Sequence, residues 1–168
     1  MANNSKSVIQ HPFGAIFNQY SVILILGSFP SVKSRENNFY YSHPQNRFWQ
    51  ILSKLTNASQ LPTSINEKTQ LLIKNKIALW DVVKSCNIKG SSDSSIKNVN
   101  VNDLLTLLNN TNIIKIFANG NTAYNLYMKY CSKNINTEIF KLPSTSSANA
   151  TYSLSKLIEE WSVIKNYI

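Results

Sequence analysis

Four short apolar runs, alternating with segments of helical periodicity, constrain the fold of this chain more than any other feature. The runs cover residues 22–26, 77–82, 113–117 and 138–142. The first is an unbroken Val-Ile-Leu-Ile-Leu block, which is typical of a strand covered on both faces. The alternation predicts an α/β fold, a three-layer α/β/α sandwich around a central, mostly parallel four-stranded sheet.

The segments between these strands carry the helices. Apolar residues at i, i+3, i+4 and i+7 predict helices over residues 48–55, 123–131 and 154–161, and a shorter leucine stripe covers residues 104–108. Ser64-x-x-Glu67 is a capping box that opens a helix to about Lys76. The polar segments 56–64 and 91–100 are expected to be loops. We expect a single domain over residues 1–168, with residues 1–12 as a loose N-terminal arm.

Length and charge limit the function. A chain of 168 residues is too short for two full domains, and 17 Lys and Arg against 8 Asp and Glu give a net charge of +9. That excess favours an anionic partner, nucleic acid first. Two cysteines and two histidines form no disulfide or zinc pattern, so we expect no metal and no cofactor. Without a membrane-length apolar run or a signal-peptide pattern, we expect no membrane contact and a cytoplasmic location.

Right-handed crossovers between parallel strands bring the loops after all four strands to one edge of the sheet, where open α/β sheets bind ligands. These loops are rich in Gly, Ser, Pro and Asn, whose amides and hydroxyls suit contacts with phosphates or base edges. Neither a P-loop nor a G-x-G-x-x-G spacing occurs among them. The blocks that follow the strands are Gly27-Ser28-Phe29-Pro30-Ser31, Ser85-Cys86 with the segment 90–94, Asn119-Gly120-Asn121, and the segment 143–149.

Several of these blocks resemble one known family. They are Gly-Ser-Phe-Pro-Ser at 27–31, Tyr-Tyr-x-x-Pro-x-Asn-Arg-Phe-Trp at 40–49, Ala-Leu-Trp-Asp-Val-Val at 78–83, and Leu-Pro-Ser-Thr-Ser with Ala-Asn-Ala at 142–150. In this order they resemble the uracil-DNA glycosylase superfamily, and within it the hypoxanthine-DNA glycosylase, or DNA-deoxyinosine glycosylase, branch. The resemblance spans about residues 21–161.

The resemblance implies a monofunctional DNA glycosylase of base excision repair. It would hydrolyse the N-glycosidic bond of a deaminated base, hypoxanthine first, and leave an abasic site in double-stranded DNA. The protein would act as a monomer. Two alternatives stay open on this scaffold: a uracil- or mismatch-specific glycosylase, and a non-catalytic protein that binds damaged DNA.

The resemblance also implies the catalytic residues. Many superfamily members orient the attacking water with an Asp or Asn at the place of Phe29, which has no polar group. The resemblance therefore gives that role to Asn46, while Asn119 would contact the flipped base or assist Asn46. From the residues alone, Asn46 suits a helix N-cap and Asn119 a turn.

Substrate and DNA contacts follow from the same match. Gly27, Ser28, Phe29 and Tyr41 are expected to surround the flipped base, with Tyr41 stacking on it. A second set is expected to contact the DNA backbone: Ser31, Arg47, Ser144, Thr145 and Ser146. The sequence leaves Arg47 a second role, tying down its loop. It favours structural roles for Asp81 and Asp93, and for His43 a loop role over polarisation of the leaving base.

Overall fold

A computed structural model describes residues 7–168. The strands are β1 (Ile9–Gln10), β2 (Ile23–Gly27), β3 (Ile77–Asp81), β4 (Val83–Lys89), β5 (Ser92–Val101), β6 (Lys115–Asn119) and β7 (Ile139–Leu142). The α-helices are α1 (Val32–Glu36), α2 (Phe48–Leu55), α3 (Ile65–Lys74), α4 (Leu104–Asn109), α5 (Asn121–Tyr130) and α6 (Leu154–Trp161). Two 3₁₀ turns, Ser132–Asn134 and Ser162–Asn166, follow α5 and α6.

The central sheet has the strand order β3-β2-β6-β7, and each neighbouring pair is parallel. The predicted three-layer α/β/α sandwich with a four-stranded sheet is therefore confirmed. Each predicted apolar run overlaps one of these strands. Because all four strands run the same way, their carboxyl ends meet at one edge, as the sequence predicted.

Strand β2 shows why the middle layer is apolar throughout. Its Ile23 and Ile25 pack with α2, α3 and α6, whereas Leu24 and Leu26 pack with α4, α5 and the second sheet. All four side chains are fully buried. Alternate residues of a strand point to opposite faces, so a strand covered on both sides needs an uninterrupted apolar run.

The second sheet, β1-β4-β5, is antiparallel and was not predicted. The expectation of a loop over residues 91–100 is wrong, because this segment forms β5 and pairs with β4 in a hairpin. Its apolar signal is weak because most of its side chains are exposed. Backbone pairing with β4 and the packing of Ile96, Val99 and Val101 against the core hold it in place. Gly90 takes a left-handed φ of 59° at the turn.

The N-terminal segment also differs from the expected loose arm. Strand β1 pairs with β4, with Ile9 opposite Cys86 and Gln10 opposite Ser85. The His11 N–H then donates to the Lys84 carbonyl over 2.8 Å. Residues 9–11 are therefore held by backbone pairing, and residues 1–6 of the expected arm lie outside the described residues.

Within residues 7–168, no helix combines the length and the apolar character needed to cross a membrane. The same part of the chain holds no group of three or more His, Cys, Asp or Glu side chains placed to bind a metal ion.

Candidate active site

A cavity of about 330 Å³ opens at the carboxyl edge of the central sheet. Gly27, Asp81 and Asn119, the last residues of β2, β3 and β6, lie in its wall. Its volume falls at the lower end of the range for small-molecule pockets, roughly 300–1,000 Å³. The cavity thus lies at the edge of the sheet where the loop positions predicted a ligand site.

The structure brings together all but one of the residues that the sequence assigned to the site. The predicted residues that line the cavity are Gly27, Ser28, Phe29, Ser31, Tyr41, Asn46, Asn119, Ser144, Thr145 and Ser146. The exception is Arg47, which points elsewhere.

Asn46 lies two residues before the first residue of α2, and its side chain has two fixed partners. Its Oδ1 accepts hydrogen bonds from the Phe48 N–H and from the Thr145 hydroxyl, both over 2.9 Å. Arg47 occupies the N-cap position but makes no side-chain capping bond. Asn46, one residue earlier, instead accepts the hydrogen bond from the first N–H of the helix. Two donors fill the two lone pairs of Oδ1, which leaves the amide N–H₂ group to act in the cavity.

Thr145 couples the two predicted catalytic asparagines. The Asn119 Nδ2 donates to Thr145 Oγ1 over 3.0 Å, and Asn119 Oδ1 accepts from the Thr145 N–H over 3.0 Å. The Thr145 hydroxyl must therefore direct its own proton to Asn46. Thr145 is fully buried, so its hydroxyl bridges two side chains and does not meet the expectation of a phosphate contact.

Arg47 ties the loop after β7 to the start of α2. Its guanidinium donates to the carbonyls of Thr145, Ser146, Asn149 and Tyr152. Every nitrogen of the group is used in this way. The structure therefore gives Arg47 the alternative role, which is to hold its loop, and not the expected contact with DNA.

The predicted serines are half-buried, and each makes a hydrogen bond within the protein. Ser31 is the N-cap of α1 and accepts from the Ser34 N–H. Ser144 Oγ accepts from the Ser146 N–H, and Ser28 Oγ donates to Asp93 over 3.0 Å. All four serines line the cavity, so phosphate binding by Ser31, Ser144 and Ser146 and base binding by Ser28 stay predictions.

Tyr41 is held in an uncommon conformation. Its φ of 49° lies in the left-handed region, which is unusual for a bulky residue and typical of functional sites. Its ring stacks on Phe48 with a centroid distance of 4.1 Å, so the protein already covers one of its two faces. The hydroxyl is buried and makes no hydrogen bond to residues 7–168.

The Tyr41 hydroxyl stays protonated at neutral pH. Burial raises its pKa above the usual value and the negative charge of Asp81 adds to the rise, while the nearby Asn119 amide opposes it. The group can therefore donate a hydrogen bond but does not serve as a base.

Asp81 and Asp93, for which the sequence favoured structural roles, both line the cavity. Asp81 ends β3 and binds the buried His11 side chain. Asp93, expected in a turn, belongs to β5 and reaches the cavity from the hairpin. Desolvation raises the pKa of Asp93 and Asp81 adds to the rise, against hydrogen bonds from Ser28 and Thr122. Both residues lay in strand-end segments, but nothing in the sequence indicated His11.

His43 lies at the exposed rim of the cavity. Its Nδ1 accepts from the Gln45 N–H over 3.1 Å, which fits the loop role that the sequence favoured.

A parallel sheet between helices, with a polar, carboxamide-lined cavity at its carboxyl edge, defines an α/β protein with its candidate ligand site at the ends of its strands. The chain belongs to the uracil DNA glycosylase superfamily, whose family model matches residues 15–165. The resemblance drawn from the motifs is thereby confirmed.

Individual relatives agree with this family. The chain is 30% identical over 158 residues to a protein of Methanosarcina acetivorans named hypoxanthine DNA glycosylase, covering 94% of this chain and 98% of the relative. A protein of the same name from Methanosarcina barkeri is 34% identical over 95 residues, 56% of this chain and 60% of the relative. A solution NMR structure from Methanosarcina acetivorans, provisionally named a uracil DNA glycosylase, superposes with a TM-score of 0.81 at 31% identity, covering 95% of this chain and 97% of the other.

Proposed function

We propose that this protein is a monofunctional DNA glycosylase that removes deaminated bases, hypoxanthine first, from double-stranded DNA and leaves an abasic site. One observation carries the proposal: the hydrogen-bonded chain from Asn119 through Thr145 to Asn46 in the wall of the cavity. Membership of the uracil DNA glycosylase superfamily and the names of the two Methanosarcina relatives support it.

The reaction breaks the bond between C1′ of deoxyribose and N9 of the purine. The sugar becomes cationic in the transition state, so a weakly activated water suffices as nucleophile. The water adds to C1′, and its released proton balances the negative charge on the departing base. Because Oδ1 of Asn46 is filled, its N–H₂ group would hold the water by donating to one lone pair, and the second lone pair would face C1′.

Damaged double-stranded DNA is the proposed partner, since the flipped base would enter the cavity while the backbone crosses its rim. We retain from the sequence the proposal that the protein acts as a monomer in the cytoplasm. Ser31, Ser144 and Ser146 are the proposed phosphate contacts.

A base-release assay tests the function. The purified protein is incubated with duplex oligonucleotides that contain deoxyinosine or deoxyuridine, and alkali then cleaves any abasic site. Cleavage at deoxyinosine faster than at deoxyuridine is expected, and the reverse order would favour the uracil-specific alternative. No cleavage of either substrate by folded protein that still binds the duplex would point to a non-catalytic binder.

The role of Asn46 has its own test. Asn46→Ala is expected to lose about 100-fold or more in single-turnover rate while retaining duplex affinity, because the water loses its donor. Asn136→Ala is the matched control, since Asn136 is exposed and outside the cavity. Equal rates for Asn46→Ala and the parent would contradict the role.

A further inference from the structure

A buried histidine–aspartate pair lies beside the proposed base-binding cavity, outside the asparagine chain. His11 Nε2 and Asp81 Oδ2 are 2.7 Å apart, and the two side chains are 3% and 5% exposed. The Phe13 N–H points to His11 Nδ1 over 3.4 Å, which makes Nδ1 the acceptor of the ring. Nε2 therefore carries the proton and donates to Asp81.

The second oxygen of Asp81 is open to a ligand. Oδ1 makes no hydrogen bond to any residue in the described range 7–168, and Asp81 lines the cavity. Oδ1 packs against Gly27 so closely that a Cβ there would lie 2.2 Å away. Because the Asp81 side chain is only 5% exposed, a donor that reaches Oδ1 as part of a ligand would make a strong, charge-assisted hydrogen bond there.

We propose that Asp81 is a specificity-determining residue whose Oδ1 accepts the N1–H of hypoxanthine. The inference rests on the proposed glycosylase function. Deamination of adenine converts N1 from an acceptor into an N–H donor and replaces the amino group by a carbonyl. Cytosine changes to uracil in the same way at N3. An acceptor fixed in the wall therefore binds the deaminated base and meets a lone pair on the normal one.

His11 acts as a positioning residue in this scheme. Its Nε2–H always needs an acceptor at position 81, so it fixes which end of that side chain faces the base. In Asp81→Asn the amide oxygen must turn to His11, and the N–H₂ group must turn to the cavity. The site would then present a donor to the N1–H donor of hypoxanthine.

The test compares single-turnover base release from deoxyinosine by the parent, Asp81→Asn and His11→Ala/Asp81→Asn. Asp81→Asn is expected to be about 10- to 100-fold slower, the effect of one hydrogen bond to a charged group. Removing His11 as well frees the amide to turn its oxygen back to the base, so the double variant is expected to recover several-fold. Asp103→Asn, the same change at an exposed helix cap, should match the parent.

Asp81→Asn within threefold of the parent would overturn the proposal, and so would a double variant with no recovery. A purely structural role would make the double variant slower, not faster. If Asp81→Asn fails to fold, judged by circular dichroism, the parent is tested on N1-methyl-deoxyinosine, which lacks the N–H. Release at least tenfold slower than from deoxyinosine supports the proposal, and equal release overturns it. A parent inactive on deoxyinosine itself would count against the glycosylase function instead.

Discussion

At the scale of single residues, the direction of each proton in the site follows from what is already bonded. Asn119 donates to the Thr145 hydroxyl, so that hydroxyl donates to Asn46, and Asn46 is left with its N–H₂ group for the cavity. The backbone N–H groups of Thr145 and Phe48 fix the orientation of the two carboxamides, which could otherwise flip, and the buried hydroxyl bridges them. This is why Thr145, expected to hold a phosphate, matters more as an internal bridge.

Thr145→Val tests that bridge, because valine keeps the shape and removes the hydroxyl. Asn46 loses one donor and Asn119 one acceptor, so the free energy of unfolding should fall by about 1–3 kcal/mol. Base release from deoxyinosine should slow about tenfold or more with duplex affinity unchanged. Urea denaturation and single-turnover kinetics measure the two effects. Thr56→Val, which removes a hydroxyl that donates to the Leu52 carbonyl, is the control. Unchanged kinetics in Thr145→Val would contradict the bridge.

Gly27→Ala tests how tightly the wall is packed around the base. A Cβ at position 27 would lie 2.2 Å from Asp81 Oδ1 and 2.9 Å from the Tyr41 hydroxyl. Overpacking of this kind costs about 1–3 kcal/mol, and here it also displaces two cavity side chains. We expect a lower melting temperature and slower base release. Gly14→Ala, whose Cβ would meet no neighbouring atom within 4 Å, should change neither property. A fully active Gly27→Ala would contradict the tight packing of Asp81 and Tyr41 against this position.

At the scale of elements, one side chain fastens the loop after β7 to α2. Arg47→Gln should release this loop, because glutamine cannot span the four carbonyls that the guanidinium reaches. Amides 144–152 should exchange hydrogen faster, while the salt dependence of duplex binding keeps its slope. A slope smaller by about one would mean that Arg47 contacts a phosphate after all. Lys54→Gln, an exposed charge on the same helix, is the matched control.

Elements that bury a continuous apolar face could be predicted, whereas β1 and β5, which bury only a few apolar side chains and depend on pairing with β4, could not. The Val-Ile-Leu-Ile-Leu run around β2 and the capping box at Ser64 and Glu67 carry local signals, and both are confirmed. The hairpin strand β5 has mostly exposed, polar side chains, so no period distinguishes it from a loop. The two-residue β1 is too short to show any period.

At the scale of the whole molecule, the site could be predicted where its residues follow strand ends. Parallel topology gathers the strand-end positions Gly27 and Asn119 at one edge, while the role predicted for Asn46, far along the loop after β2, came from the family resemblance. The partnership of His11 with Asp81 joins residues 70 positions apart, and β1 brings it about by pairing with β4. No local pattern encodes such a distance, which is why the sequence placed His11 in a loose arm.

The net charge of +9 predicts how DNA binding depends on salt, because this charge is spread over the whole surface and does not belong to one contact. A second groove of about 720 Å³ shares Asn119, Ser144 and Ser146 with the cavity and is also lined by Lys141, Asp93 and Glu160. Each phosphate that the protein neutralises releases counterions, so the affinity for a duplex should fall linearly with salt on logarithmic axes. Between roughly 50 and 200 mM salt we expect a loss of about tenfold or more, which two phosphate contacts already produce. Fluorescence anisotropy with a duplex that carries a stable abasic analogue measures it. An affinity that hardly changes with salt would contradict a DNA-binding surface and indicate a small anionic ligand instead.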